Sequence, residues 1–159
     1  MGKTPPRKDN KYWDNATHSW ISIADMVADG YIKNSKEKVN DYSVKNIFKN
    51  QISKKGTLLM SFKLTVGRVS ILSIDAFHNE AIISIIPYYD INNILRNYLF
   101  TFLPLLTNYG NTKTAIKGNT LNSTSIDNLL IPISSFSEQQ RISIAIEKYL
   151  TLINKKTTK

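Results

Sequence analysis

No cysteine occurs in the 159 residues, and that absence removes disulfide frameworks, thiolate metal sites and cysteine nucleophiles together. Long apolar runs are missing too. The most hydrophobic stretch, "YLFTFLPLL" at 98–106, contains a proline and is far shorter than the roughly 20 residues that span a bilayer. The opening "MGKTPPRKDNKYW" is polar throughout, unlike a secretory signal. The expectation is a soluble, cytoplasmic protein with no membrane partner. His18 and His78 are the only histidines, and neither sits in a metal-ligand spacing such as HxxxH. Acidic residues are also few, 12 against 21 Lys and Arg, for a net charge of +9.

What is present suits a folded domain. The length allows one domain with a real core and an appended helix, and a hydrophobic content of 42% excludes wholesale disorder. The positive charge is uneven: residues 1–68 carry 13 Lys and Arg against 6 Asp and Glu, whereas residues 69–159 carry 8 against 6. A basic N-terminal half favours a polyanionic partner, because Lys and Arg release counterions when they neutralise phosphates. The heavy use of Lys, Asn and Ile that an AT-rich genome produces gives the same bias, so charge alone favours nucleic acid only mildly.

Periodicity supplies a coarse map. After a proline-bearing loop, "WISIADM" (20–26) reads as a strand that runs towards the turn at Asp29-Gly30. The lysine-rich stretch 33–56 holds a short helix with Val44, Ile47 and Phe48 at i, i+3, i+4 and Asp41 as its cap. "TLLMSF", "RVSILSI" and "AIISIIPYY" are three β-branched, apolar strands. A helix opens at Asp90, with Ile91, Ile94, Leu95, Tyr98, Leu99, Phe102, Leu105 and Leu106 on one face, and Pro104 is expected to kink or end it. A polar basic loop (108–120) and a last strand, "NLLIPI" (128–133), precede a C-terminal helix with a capping box at Ser137 and Gln140. Along that helix Ile142, Ile146, Tyr149 and Ile153 are spaced four, three and four, the seam of a coiled coil. Two heptads are too few to sustain an independent coiled coil. Packing on its own domain and pairing with a second chain both remain open. The division expected is 1–134 as a globular domain and 135–159 as the helix, within an α+β fold that is mixed, mostly β, with packed helices.

No catalytic constellation emerges. "IIPYY" (85–89) has neither the acidic or amide residue nor the second proline of the box with which adenine-N6 methyltransferases hold their target amine. "GNTKT" (110–114) lacks the GxxxxGK[ST] spacing of a phosphate loop. His78 beside Glu80 is an acid/base pair only on paper. Asp25, Asp29, Asp75 and Glu80 read as solvated loop acids.

Six fragments in order, however, resemble one known family: "GKTPPR" with "YW", "WISIADM", "GTLLMSFKLTVGRVSI", "HNEAIISIIP", "AIKGNTLNSTSIDNLLIPI" and "EQQRI". Together they look like one target recognition domain and the start of the following conserved helix of a type I restriction-modification specificity subunit. The resemblance implies a non-catalytic, sequence-specific reader of double-stranded DNA. Such a domain takes one half-site and directs a methyltransferase (modification) subunit and a restriction subunit to it. It implies no cofactor on this chain; S-adenosylmethionine and ATP with Mg belong to the partner subunits. It also implies that the chain is about half of a specificity subunit, either pairing as a homodimer through its terminal helix or forming a piece of a longer protein. Two other readings stay open: a nonspecific nucleic-acid-binding domain, with Tyr12, Trp13 and Tyr31 as base-stacking residues, and a methyltransferase-binding module that does not read DNA.

Candidate DNA contacts follow from residue chemistry. Arginine bridges guanine O6 and N7 in a bidentate fashion, whereas lysine mostly serves phosphates. Arg68 is thus a base or backbone candidate, and Lys54, Lys55 and Lys63 are backbone candidates. Asn111, Lys113, Thr114 and Lys117 form a second set, and Arg7 with Lys8 a third. For any single lysine a solvated surface charge is the commoner role. "KLTVGR" (63–68) is shared in the family by members that read different sequences, so it is assigned to scaffold first and contact second. Specificity is placed in 33–55 and 108–119.

Overall fold

The computed structural model describes residues 1–63, 65–109 and 126–157. Among the described residues, seven short strands form two sheets. β1 (His18–Ile21) is the centre of a three-stranded sheet in the order β3–β1–β6, antiparallel to β3 (Glu37–Val39) and parallel to β6 (Phe77–His78). The second sheet runs β2–β5–β4–β7, with β2 (Gly30–Ile32) parallel to β5 (Val69–Leu72). β4 (Leu58–Ser61) lies antiparallel to both β5 and β7 (Ile82–Ile85). Three α-helices are seen among the described residues: α1 (Asp41–Asn46), α2 (Ile94–Tyr109) and α3 (Phe136–Thr157). The α+β class is as the sequence implies. Among the described residues, no helix is long and apolar enough to cross a membrane.

Side-chain alternation along the strands sorts the core into three clusters. In β4, Leu58 and Met60 face α2 together with Val69, Ile71, Leu99 and Leu103. Leu59, between them, points the other way and meets Ile21, Ile32, Leu72 and Ile82 between the two sheets. β1 repeats the device, with Ile21 between the sheets and Trp20 on the opposite side against Val39, Phe48 and Phe77. Val44 and Ile47 of the α1 region close that third cluster. The layers are therefore α2, the four-stranded sheet, the three-stranded sheet, and α1 with the N-terminal segment.

Several boundaries differ from the sequence pattern. β1 ends at Ile21 rather than running to Met26. The Asp25 carboxylate turns back to accept from the Ser22 N–H (2.9 Å) and hydroxyl (2.7 Å), closing a 3-10 turn over Ile23–Asp25. α1 is capped by Asn40, one residue before Asp41, through the Ser43 N–H at 3.0 Å. β2, β3 and β6 fall in stretches too short and polar to show alternation. Asp90 does cap the long helix, accepting from the Leu95 and Arg96 N–H groups at 2.8 and 3.2 Å, but helical geometry starts only at Ile94. Pro104 lies inside α2 instead of ending it, and the seam Leu95, Leu99, Leu103, repeating every four residues, anchors the turns that precede the proline. Leu105, placed on the apolar face by the pattern, is exposed.

The segment 128–133 is not a strand, and its penultimate residue, Pro132, has no N–H to give a ladder. It lies against the helical layer, with Leu129 and Ile131 on the α2 cluster and the Pro132 carbonyl accepting from the buried Tyr98 hydroxyl at 2.6 Å. α3 is capped by Ser135, whose hydroxyl accepts from the Glu138 N–H at 3.4 Å, rather than by Ser137. Gln139, not Gln140, turns inwards, donating to the Ser134 carbonyl at 2.7 Å. α3 then packs along α2.

Candidate nucleic-acid interface

The turn between β4 and β5 carries Lys63 and Arg68 and uses them differently. Gly67 has φ +81, a left-handed conformation that side chains disfavour, and its N–H donates to the Ser61 carbonyl at 2.9 Å. Arg68 is half-buried and points back along the sheet, its Nη1 at 3.5 Å from the carbonyls of both Ile23 and Met26. It ties the 3-10 turn after β1 to the hairpin, the scaffold role placed first for this motif. Lys63 lies with its Nζ 5.5 Å from the Phe62 ring centroid.

The remaining cations are equally individual. Arg7 pairs with Glu37 (Nη2 to Oε2 3.2 Å) and stacks over Trp13 and Trp20, 4.7 and 4.5 Å from their centroids. That location makes it a strap holding the N-terminal segment to β1 and β3. Lys8 is exposed. Lys54 reaches Asp75 at 2.9 Å, and the same carboxylate accepts the Lys55 N–H at 2.8 Å; the lysine contact holds the Asp75 carboxyl below its ordinary value. The Lys55 side chain itself is exposed. Asn111, Lys113, Thr114 and Lys117 lie outside the described residues, as does the stretch 108–119 apart from its first two positions. Ile142 and Ile146 are half-buried and Tyr149 is exposed, while the Ile153 side chain lies outside those described. Among the described residues, the structure therefore spreads the named cations over separate surfaces and brings only Lys54 and Lys55 to one edge.

That edge belongs to a cleft of about 610 Å³ that single-residue reasoning missed. The loop 51–57, the end of β7 with Ile86 and Pro87, and the start of α2 form its walls, and residues 1–3 run along it. Gly2 makes that passage possible: a Cβ there would stand 2.2 Å from the carbonyl oxygens of His78 and Asn79. The Gly2 and Lys3 N–H groups donate to the Ile82 and His78 carbonyls at 3.0 and 2.8 Å. Among the described residues, the cations at the cleft are Lys3, Lys54, Lys55 and Arg96, against one lining carboxylate, Asp90. Arg96 carried no signal beyond lying off the apolar face of α2.

His78 and the acids also find structural uses. His78 is buried and does not pair with Glu80; its Nε2 meets the Ser84 hydroxyl at 2.8 Å, which in turn meets Ser53 at 2.8 Å. Burial pushes its pKa down to about 4, so the ring is neutral near pH 7. The Glu80 carboxylate accepts from the Thr4 hydroxyl, which holds it below the ordinary range. Asp25 accepts from Lys36 N at 3.0 Å besides closing its turn. Asp25, Asp75 and Glu80 are thus bonded fixtures rather than merely solvated acids. Trp13, one of the stacking candidates, instead packs edge-on against Trp20 at 5.5 Å and donates to the Pro6 carbonyl at 2.9 Å.

Comparison with known proteins places this arrangement. The family model described as "type I restriction modification DNA specificity domain" matches residues 1–159. The chain is 29% identical over 165 residues to the type I restriction enzyme MjaIX specificity subunit of Methanocaldococcus jannaschii, a match covering 98% of this chain and 36% of that protein. Among solved structures, a chain from a study of complex assembly and conformational transition in a type I R-M system superposes with a TM-score of 0.71 at 17% identity. That match covers 97% of this chain and 36% of the other. The HsdS subunit from Thermoanaerobacter tengcongensis gives a TM-score of 0.64 at 16% identity over 97% and 35% of the two chains. The chain spans about a third of the length of the relatives it matches.

Proposed function

The chain belongs to the type I restriction modification DNA specificity domain family, and on that premise we propose that it reads one half-site of a double-stranded DNA target. The observation that carries this reading is the match of the family model over all 159 residues. The surplus of cations in residues 1–68 supports it, since phosphate contacts position a reader while base contacts supply sequence. In this reading the chain does no chemistry. It directs a methyltransferase subunit and a restriction subunit, which carry S-adenosylmethionine and ATP with Mg, to the site in the cytoplasm. Residues 1–134 act as the recognition domain and 135–159 as the start of the conserved helix. The exposed Ile144, Tyr149 and Leu152 of α3 are then available to a second recognition unit, a second copy of this chain in the homodimeric form.

The test is a selection from a random double-stranded DNA library, run with the protein alone and with a candidate methyltransferase subunit. Enrichment of a short motif, or of two copies at fixed spacing, is the expected result. Salt-sensitive retention without any motif would reduce the protein to a nonspecific binder. Partner binding with no DNA retention would leave only an interaction module.

A further inference from the structure

We infer that the cleft beneath the start of α2 holds the DNA sugar–phosphate backbone, with Arg96 as its fixed phosphate-binding residue and Lys55 as a mobile second cation. This rests on the DNA-reading function proposed above and names the surface that performs it.

Arg96 differs from the other well-placed arginines in its partners. Arg7 and Arg141 face carboxylates, Glu37 and Glu138, and Arg68 is folded back onto two carbonyls. Among the described residues, Arg96 is held by neutral acceptors alone. Its Nη1 donates to the Gly56 carbonyl at 3.2 Å, and its Nε and Nη2 donate to the Asn97 side-chain oxygen at 3.1 and 2.8 Å. Those three bonds fix the plane of the guanidinium without neutralising it. They leave one N–H on each terminal nitrogen, the fork that matches two oxygens of a phosphate. Half-burial raises the value of an uncompensated charge to an anion, because water screens it less than at the open surface.

The surroundings suit the same ligand. Lys3, Lys54 and Lys55 line the cleft with Arg96, and the single lining carboxylate, Asp90, has its oxygens engaged by the Leu95 and Arg96 N–H groups. Lys54 is offset by Asp75, which leaves Lys55 as the lysine of that loop whose exposed side chain can extend to a phosphate. Phe48, Phe77, Ile85 and Pro87 give the cleft an apolar lining against which sugar faces can lie. Two loops with consecutive left-handed residues meet at this place: Lys49-Asn50 (φ +51 and +59) lead to Gln51, and Asn92-Asn93 (φ +50 and +61) lead to Arg96.

The experiment is a fluorescence-anisotropy titration of the whole chain with a labelled pool of random-sequence duplexes at several salt concentrations. The wild type, R96Q, K55Q and the double variant are compared, with thermal melts to verify folding. The slope of log Kobs against log salt falls by about 0.9 for each phosphate contact removed. The double variant is therefore expected to lose roughly two units of slope, and K55Q, whose side chain is exposed, roughly one without a change in melting. Unchanged slopes in folded R96Q and K55Q overturn the inference. If K38Q/K45Q, on the β3 and α1 face, lowers the slope in their place, DNA reading stands and the cleft does not carry it. A wild type that binds no duplex overturns the function and the cleft together.

Discussion

Acid titration of stability isolates one buried group, His78. The residue is 5% exposed and its pKa is pushed from 6.5 to about 4 by burial. The native state therefore binds fewer protons than the unfolded chain between those values, so stability falls as pH falls through 6.5 and the loss saturates below about 4. Moving from about pH 7 to pH 4.5 should cost about 2.5 kcal/mol from this group alone, at 1.36 kcal/mol for each unit of separation. In a domain this size that is roughly 5–10 °C in Tm. Asp75 and Glu80, both held below their ordinary values, contribute stability that is lost only at lower pH, as it falls through their depressed values. The two effects are thus separated along the pH axis. Urea unfolding from pH 7 to 4.5 should show the loss in the wild type. It should be nearly absent in H78Q, which has no proton to take up, although that variant starts from a lower plateau. An equal loss in both proteins would refute the argument that His78 is buried neutral against Ser84.

Other substitutions probe the scaffold. Arg68→Ala should lower stability by about 1–3 kcal/mol, the cost of two carbonyls left without a charged donor, while leaving the salt dependence of DNA binding unchanged; a reduced slope with unchanged melting would make Arg68 a contact instead. Tyr98→Phe should cost about 1 kcal/mol in chemical denaturation by releasing the Pro132 carbonyl, and a neutral result would mean that the 128–133 segment is held by its apolar contacts alone. Leu99→Ala removes a 6%-exposed side chain from between α2 and the four-stranded sheet and should cost about 2–5 kcal/mol. Tyr149→Glu with Leu152→Glu, both on exposed positions of α3, should give a folded monomer by sedimentation if the helix mediates pairing, and persistence of a dimer would send the interface elsewhere.

The sequence by itself determined the family, through ordered fragments, and the elements whose information is local. β4, β5 and β7 announce themselves because consecutive β-branched and apolar residues are needed to fill both faces of a doubly covered sheet. The reversal at Gly67 follows from a backbone angle that glycine takes without penalty. Val44, Ile47 and Phe48 are legible for the same reason, since helical spacing alone brings them to one side.

Only the tertiary structure decided where β1 ends, because Asp25 competes with the ladder for the chain through Ser22. It also decided that Asn40 and Ser135 are the caps, and that 128–133 carries its apolar residues without strand pairing. The roles of the cations were beyond local reading altogether. Arg7 meets Glu37, 30 positions away, Arg68 meets a carbonyl 45 positions away, and Arg96 meets one 40 positions away. A charge in a sequence states what a side chain can offer. Whether it is neutralised, folded back as a strap or left facing a cleft depends on the acceptors that the two sheets bring beside it, and those are set by chain topology rather than by neighbours in sequence.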